Sequence, residues 1–300
     1  MIRRTLWLLL LLIASAIPAG AAGISRGSEP VWVDPGWRRI VAHYAITFEK
    51  SGLSTTVFEY EILAIDPKGA EAISQQVISY NSFFDEMVTA DLATVKADGR
   101  VIAVDERAVR DQPASTDGSS PYFDEQRERI IAYSDVAPGD KVRGRVIYKD
   151  KRPMFEGQFA HFWDQPVDQP PEVMELTLDG PTSMPVRIVA RDVEHREEKV
   201  GDRIVHHVRF KQETPRPRLA DFGTFDSARR FEASTFSDYA ALAAGLNARN
   251  APMAVPDAAL GKFAADIVGD AATTTAKVER LHNWVAGTFA MSGSVSKTVD

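Results

Sequence analysis

Any chemistry in this chain must come from histidine, serine and carboxylate groups, because its 300 residues include six histidines and no cysteine. Adjacent His206 and His207 look like a metal pair. In a strand, neighbours point to opposite faces, so the two cannot grip one ion. If Gly201-Asp202 forms a two-residue turn, Glu197 lies across from His206 and Arg196 across from His207, as ordinary cross-strand pairs. Ser294-Val295-Ser296-Lys297 matches S-x-x-K, where a lysine one helical turn away can take the serine proton. The companion S-D-N and K-T-G motifs are missing, so the match reads as a polar tail. His43 and His161 stand among aromatics and His282 among apolar helical positions, which suits structural histidines. Asp124, Glu125 and Glu128 supply carboxylates, yet a glycosidase needs two at a fixed separation across a cleft. A solvated charged surface fits them better. G-x-S-x-G, a phosphate-cradling glycine loop and H-E-x-x-H are all absent from the sequence. The residues therefore assign no catalytic, cofactor-binding or metal-ligating position and call for no cofactor.

The elements that would carry these groups are mainly strands. "WRRIVAHYAITFE" and "STTVFEYEILAI" are rich in β-branched and aromatic residues. Asp66-Pro67-Lys68-Gly69 reads as a turn. "LATVKADGRVIAV" reads as a hairpin through a type I′ Asp98-Gly99 turn. After a Pro138-Gly139 turn, Val142, Val146 and Tyr148 share one face of a strand, opposite Lys141, Arg143, Arg145 and Lys149. "MELTLDGP" and "VRIVARDVEHREEKVGDRIVHHVRF" continue the pattern. Many short strands predict a mostly β protein, an antiparallel two-sheet sandwich over residues 28–214. The polar stretch around 113–121 reads as a long loop, and Pro-rich 165–173 as extended chain. Residues 215–236 read as a linker and 237–300 as a helical segment. Within that segment Tyr239, Leu242, Ala243 and Leu246 follow helical spacing. A second helix is predicted from Pro256 and a third after Asp270, with Leu281, Trp284 and Val285 on one face. Phe222, Phe225, Phe231, Phe236 and Tyr239 form an aromatic cluster that either docks the helices on the sandwich or binds a partner.

Residues 1–21 have the pattern of a secretory leader: Arg3 and Arg4, an apolar run over 6–17, and the small residues Ala19-Gly20-Ala21. The run is shorter than the ~20 residues a membrane span needs. Cleavage there predicts a periplasmic or secreted chain starting at Ala22, without a transmembrane segment. Its net charge would move from −7 to −9. That acidity argues against nucleic acid as a partner. Lack of cysteine removes disulfides, thiol nucleophiles and zinc–thiolate sites.

Taken in order, these segments resemble the domain of unknown function found ahead of transglutaminase-like domains in bacterial envelope proteins. The similarity lies in "RIIAYSDVAPGDKVRGRVIY", in "DQPVDQPPEVMELTLDGP", in "ASTFSDYAALA" and in "AADIVGDAATTTAKVERLHNWVAGTF". The last is similar to the opening of the transglutaminase-like domain itself, where Leu281, Trp284, Val285 and Phe289 fall on its apolar positions. In that family a catalytic cysteine follows in a "G-D-C-K-D"-like stretch, with histidine and aspartate further on. No residue of this chain matches those positions. The resemblance implies a truncated start of the transglutaminase-like domain behind a non-catalytic, exported sandwich that binds a protein or peptide in the envelope. It also allows the front part of a transglutaminase-like or cysteine-peptidase-like enzyme whose Cys-His-Asp lies beyond residue 300. A structural envelope protein without ligand is the third expectation.

Overall fold

A computed structural model describes residues 32–114, 125–217, 229–251 and 255–288 of the protein. The leader, Asp124, Phe222, Phe225, Ser294 and Lys297 lie outside the described residues. An eight-stranded sheet runs from edge to edge through β12 (Val193–Val200), β13 (Arg203–Phe210), β10 (Val173–Pro181), β1 (Trp37–Phe48), β2 (Ser54–Ala64), β8 (Lys141–Asp150), β4 (Asp85–Val95) and β5 (Val101–Ala103). One three-stranded sheet holds β11 (Arg187–Arg191), β14 (Arg230–Ser234) and β9 (Ala160–Asp164). Another holds β3 (Gln75–Asn81), β7 (Gln126–Ala132) and β6 (Val109–Pro113).

The large sheet is amphipathic because its strands alternate. Ala42, Ile46 and Phe48 of β1 and Met174, Leu176 and Leu178 of β10 are buried, while His43, Ala45, Glu175 and Thr177 between them face outward. Two cores form on the inner face. In the first, these side chains meet Phe159, Trp163, Phe231 and Ala233 from the β11-β14-β9 side. Phe48 stacks on Phe159 with centroids 4.4 Å apart. A Cβ at residue 180 would sit 2.1 Å from the Phe48 ring, which explains a glycine inside β10. In the second core, Tyr60, Ile62, Met87, Val142 and Val146 meet Ile131 and Tyr133 from the β3-β7-β6 side. Each such fully buried aliphatic side chain stabilises the fold by about 1.5–3 kcal/mol.

The expected antiparallel two-sheet sandwich is corrected in two respects. The large sheet is mixed, because β1 and β10 run parallel from Val41↔Val173 to Thr47↔Asp179. Parallel neighbours need a long crossover, and the chain between β1 and β10 supplies it. The inner face is covered by two small sheets and not by one. The alternating pattern of each strand predicts a buried face but does not choose its neighbour.

Local signals also resolve differently in places. Asp66-Pro67-Lys68-Gly69 opens helix α1 (Pro67–Ile73): the Asp66 carboxylate accepts from the Gly69 amide at 2.7 Å, and Pro67 fills the first turn. The β4–β5 hairpin pairs Val95 with Val101, and the Gly99 amide donates to the Lys96 carbonyl at 2.9 Å. Gly99 has φ +89°, and Asp98 is not among the residues of positive φ, so the type I′ turn is replaced by a longer loop closed by one left-handed glycine. Residues 215–236, read as a linker, contain β14, the central strand of its sheet. The alternation Phe231 and Ala233 in, Arg230 and Glu232 out, is short and follows a Pro-rich stretch, so it is easily passed over.

Three helices follow: α2 (Tyr239–Asn250), α3 (Ala258–Val268) and α4 (Thr274–Thr288). Asp238 and Asp257 cap the first two by accepting from the amides of Ala241 and Leu260. Helix α3 thus starts after Asp257, beyond the expected Pro256. Phe263 of α3 and Trp284 of α4 meet edge to face at 5.0 Å, yet none of the three helices holds a buried residue.

Candidate functional site

The outward face of the large sheet places acidic, arginine and histidine side chains in one row across six strands. The register sets Arg145 of β8 beside Glu59 of β2, then His43 of β1, Glu175 of β10, Arg209 of β13 and Glu194 of β12. Arg145 lies 3.5 Å from Glu59, His43 3.6 Å from Glu175, and Arg209 3.8 Å from Glu175. All of these side chains are about half exposed, and such pairs contribute only about 0–1 kcal/mol each. They can therefore exchange partners at little cost. The next row is smaller and less charged, with Val57, Ala45 and Thr177 side by side. Two depressions lie along this face. One of 380 Å³ is lined by Glu175, Thr177, Glu194, Arg196, His207 and Arg209. The other, of 250 Å³, is lined by His43, Ala45, Val57, Glu59, Arg145 and again Glu175 and Thr177. The two depressions adjoin at Glu175 and Thr177, and the stretch of face they occupy is called the trough.

The Gly201-Asp202 turn pairs Val200 with Arg203, and this register brings Glu197 opposite His206 and Arg196 opposite His207. His206 is 4% exposed on the inner face, whereas His207 faces the trough and lies 3.1 Å from Glu198. Burial lowers the His206 pKa, and nearby His195 and His207 lower it further. The one metal-donor trio among the described residues is His195, Glu197 and His206. The sequence reading placed Glu197 and His206 together but missed His195, two residues before Glu197 on the same face. The i, i+2 spacing across a known turn is the signal that would have found it.

Other candidate residues scatter. Glu128 sits on β7 and Glu125 just before it, away from the trough. His161 packs against Trp163 with ring centroids 4.4 Å apart, and His282 is exposed on α4. Of the aromatic cluster, Phe231 and Phe236 are buried while Tyr239 is 90% exposed. Phe231 thus belongs to the core beneath β14, a place that neither the docking nor the partner-binding reading gave it.

The fold and its trough define a mixed-sheet β domain with a polar outer face. The family model of DUF3857, a domain of unknown function with a solved structure, matches residues 50–217, and the chain belongs to that family. The match runs from just before β2 to just beyond β13. A solved structure of a candidate protease from Parabacteroides distasonis is 14% identical, with a TM-score of 0.75, over 85% of this chain and 51% of its own. This likeness establishes a shared fold, and the present chain spans about half of that protein. An M1 zinc metallopeptidase from Deinococcus radiodurans is 10% identical over 67% of this chain and 43% of its own, at a TM-score of 0.36. No curated protein matches the chain. Among the described residues no helix is long and apolar enough to cross a membrane.

Proposed function

We propose that these residues form an exported, non-catalytic module of a transglutaminase-like envelope protein, and that the module binds a protein or peptide along its outer trough. The observation that carries the reading is the row Arg145, Glu59, His43, Glu175 and Arg209, which sets two arginines and a histidine beside two carboxylates, about half exposed, over a wide sheet face. Shallow, mixed-charge faces suit an extended polar partner better than a small molecule, which favours an enclosed apolar pocket. Export rests on the leader pattern of residues 1–21, and N-terminal sequencing of the exported chain is expected to read from Ala22.

Site-specific photocrosslinking in intact bacteria tests the binding role. A crosslinker at Ala45 or Thr177 is expected to trap a discrete adduct, while one at Lys68 on α1 traps none. Arg209→Glu should abolish the adduct by setting a second acid beside Glu175. Equal capture at Lys68, or none from the trough, would remove the proposal.

A second reading is the front part of a longer enzyme with Cys-His-Asp beyond residue 300. It is favoured by the candidate protease, of which this fold fills 51%, and by helices that bury no residue of their own. A coding frame that continues past Asp300 into a Gly-Asp-Cys stretch would establish it.

A further inference from the structure

We propose that His195, Glu197 and His206 form a binding site for one divalent transition-metal ion of the Zn²⁺ class, on the inner face of the β12–β13 hairpin.

The site is made by register. Because Gly201 and Asp202 form a two-residue turn, His195 pairs with Val208 and Glu197 with His206. His195, Glu197 and His206 therefore project to the same face, with His195 and His206 as diagonal neighbours. His195 Nε2 lies 3.1 Å from His206 Nδ1, and His206 Nδ1 lies 3.6 Å from Glu197 Oε2. All three donor atoms fall within 4.8 Å of one another. Two ligands bound at about 2.0–2.2 Å to one tetrahedral ion stand about 3.3 Å apart, so completing the set moves the Glu197 carboxylate inward by up to about 1.5 Å. That side chain is 66% exposed and free to make the move.

The donor set determines the ion. Two imidazole nitrogens and one carboxylate oxygen suit zinc and its neighbours better than calcium or magnesium, which prefer all-oxygen shells. The hydrogen bond between the two rings gives way to two bonds to the metal. The opposite wall is apolar: the Phe231 ring lies 5.5 Å from the His195 ring and fixes one side of it. Three protein ligands leave a fourth position, which the exposed Glu197 turns toward solvent. Bound there, the ion would tie edge strand β12 to β13. That strand carries few apolar residues and relies on its pairing with β13 to stay in place.

The test uses the tag-free chain after chelator treatment. Titration with Zn²⁺ alone is expected to show one saturable site by calorimetry, and Co²⁺ to show the visible absorption of a tetrahedral nitrogen- and oxygen-ligated ion. His195→Gln and Glu197→Gln both lie on exposed positions and should fold by circular dichroism, while weakening Zn²⁺ binding by about ten-fold or more. His207→Gln, on the opposite face, should leave it unchanged. Absence of saturable uptake would leave a hydrogen-bonded histidine pair only and overturn the proposal. Uptake unaffected by His195→Gln, or weakened equally by His207→Gln, would overturn it as well.

Discussion

Asp140 shows how much one side chain can hold. Its side chain is 3% exposed, and it accepts from Lys96 Nζ at 2.7 Å and from the amides of Ala97 and Ala137 at 2.9 and 2.8 Å. One carboxylate thus ties the β4–β5 loop to the turn before β8. Burial alone would raise its pKa, but the Lys96 ammonium and the two amides together hold it below the ordinary carboxylate value. A depressed folded pKa means that the stabilisation is complete above the unfolded value of about 3.9 and is lost as pH falls through the folded one. Asp140→Asn keeps the shape but replaces an acceptor oxygen with a donor group facing other donors. Chemical denaturation at neutral pH should show it less stable by about 2–3 kcal/mol. The gap from the natural chain should shrink below about pH 4. A gap that persists unchanged in acid would show that packing, and not the charge, accounts for the effect.

At the scale of elements, legibility depended on whether a signal was local. The face of β8 could be read directly, since Val142 and Val146 are buried and Lys141, Arg143 and Arg145 point out. The β12–β13 register also followed from sequence, because Gly201 at φ +63° fixes a two-residue turn and every pair then follows. His195 escaped notice because its partnership is diagonal, and the trough escaped because it needs strand order as well as register. No residue of β1 announces that β10 will lie beside it in parallel. The resemblance to a domain of unknown function agrees with the family match over residues 50–217, and it came from the order of weak segments where single motifs gave nothing. The helices mark the other extreme. Val278 and Val285 of α4 are 60% and 49% exposed, and Leu260 and Phe263 of α3 are 54% and 46% exposed. Helices of this length draw most of their stability from tertiary packing. Amides of residues 278–288 should therefore exchange faster than those of β1 and β10 by roughly two orders of magnitude or more. Hydrogen exchange with mass spectrometry measures this directly. Protection of α4 equal to that of the sheet would mean that its apolar face is covered by its own chain.

For the whole molecule, the question is where the folding unit closes. The sequence suggested Thr214, where prolines interrupt the strand pattern. We place the boundary past β14, because that strand sits between β9 and β11, pairing Phe231 with both Trp163 and Ala190. Phe231 is 0% exposed within the first core. Truncating one buried Phe to Ala costs about 3–5 kcal/mol, and a domain has about 5–15 kcal/mol in total. Losing the whole strand would also leave β9 and β11 with unpaired edges over an opened core. A chain lacking residues 1–21 and ending after Ser237 should keep a β-type circular dichroism spectrum and melt cooperatively, because both cores remain complete without α2 to α4. The same chain ended after Thr214 should lose its cooperative transition. If it melted like the longer one, β14 would be an appendage and the earlier boundary correct. If the chain ending at Ser237 failed to fold, the three helices would belong to the stable unit, and their exposed stripes would have to find cover on the sheets.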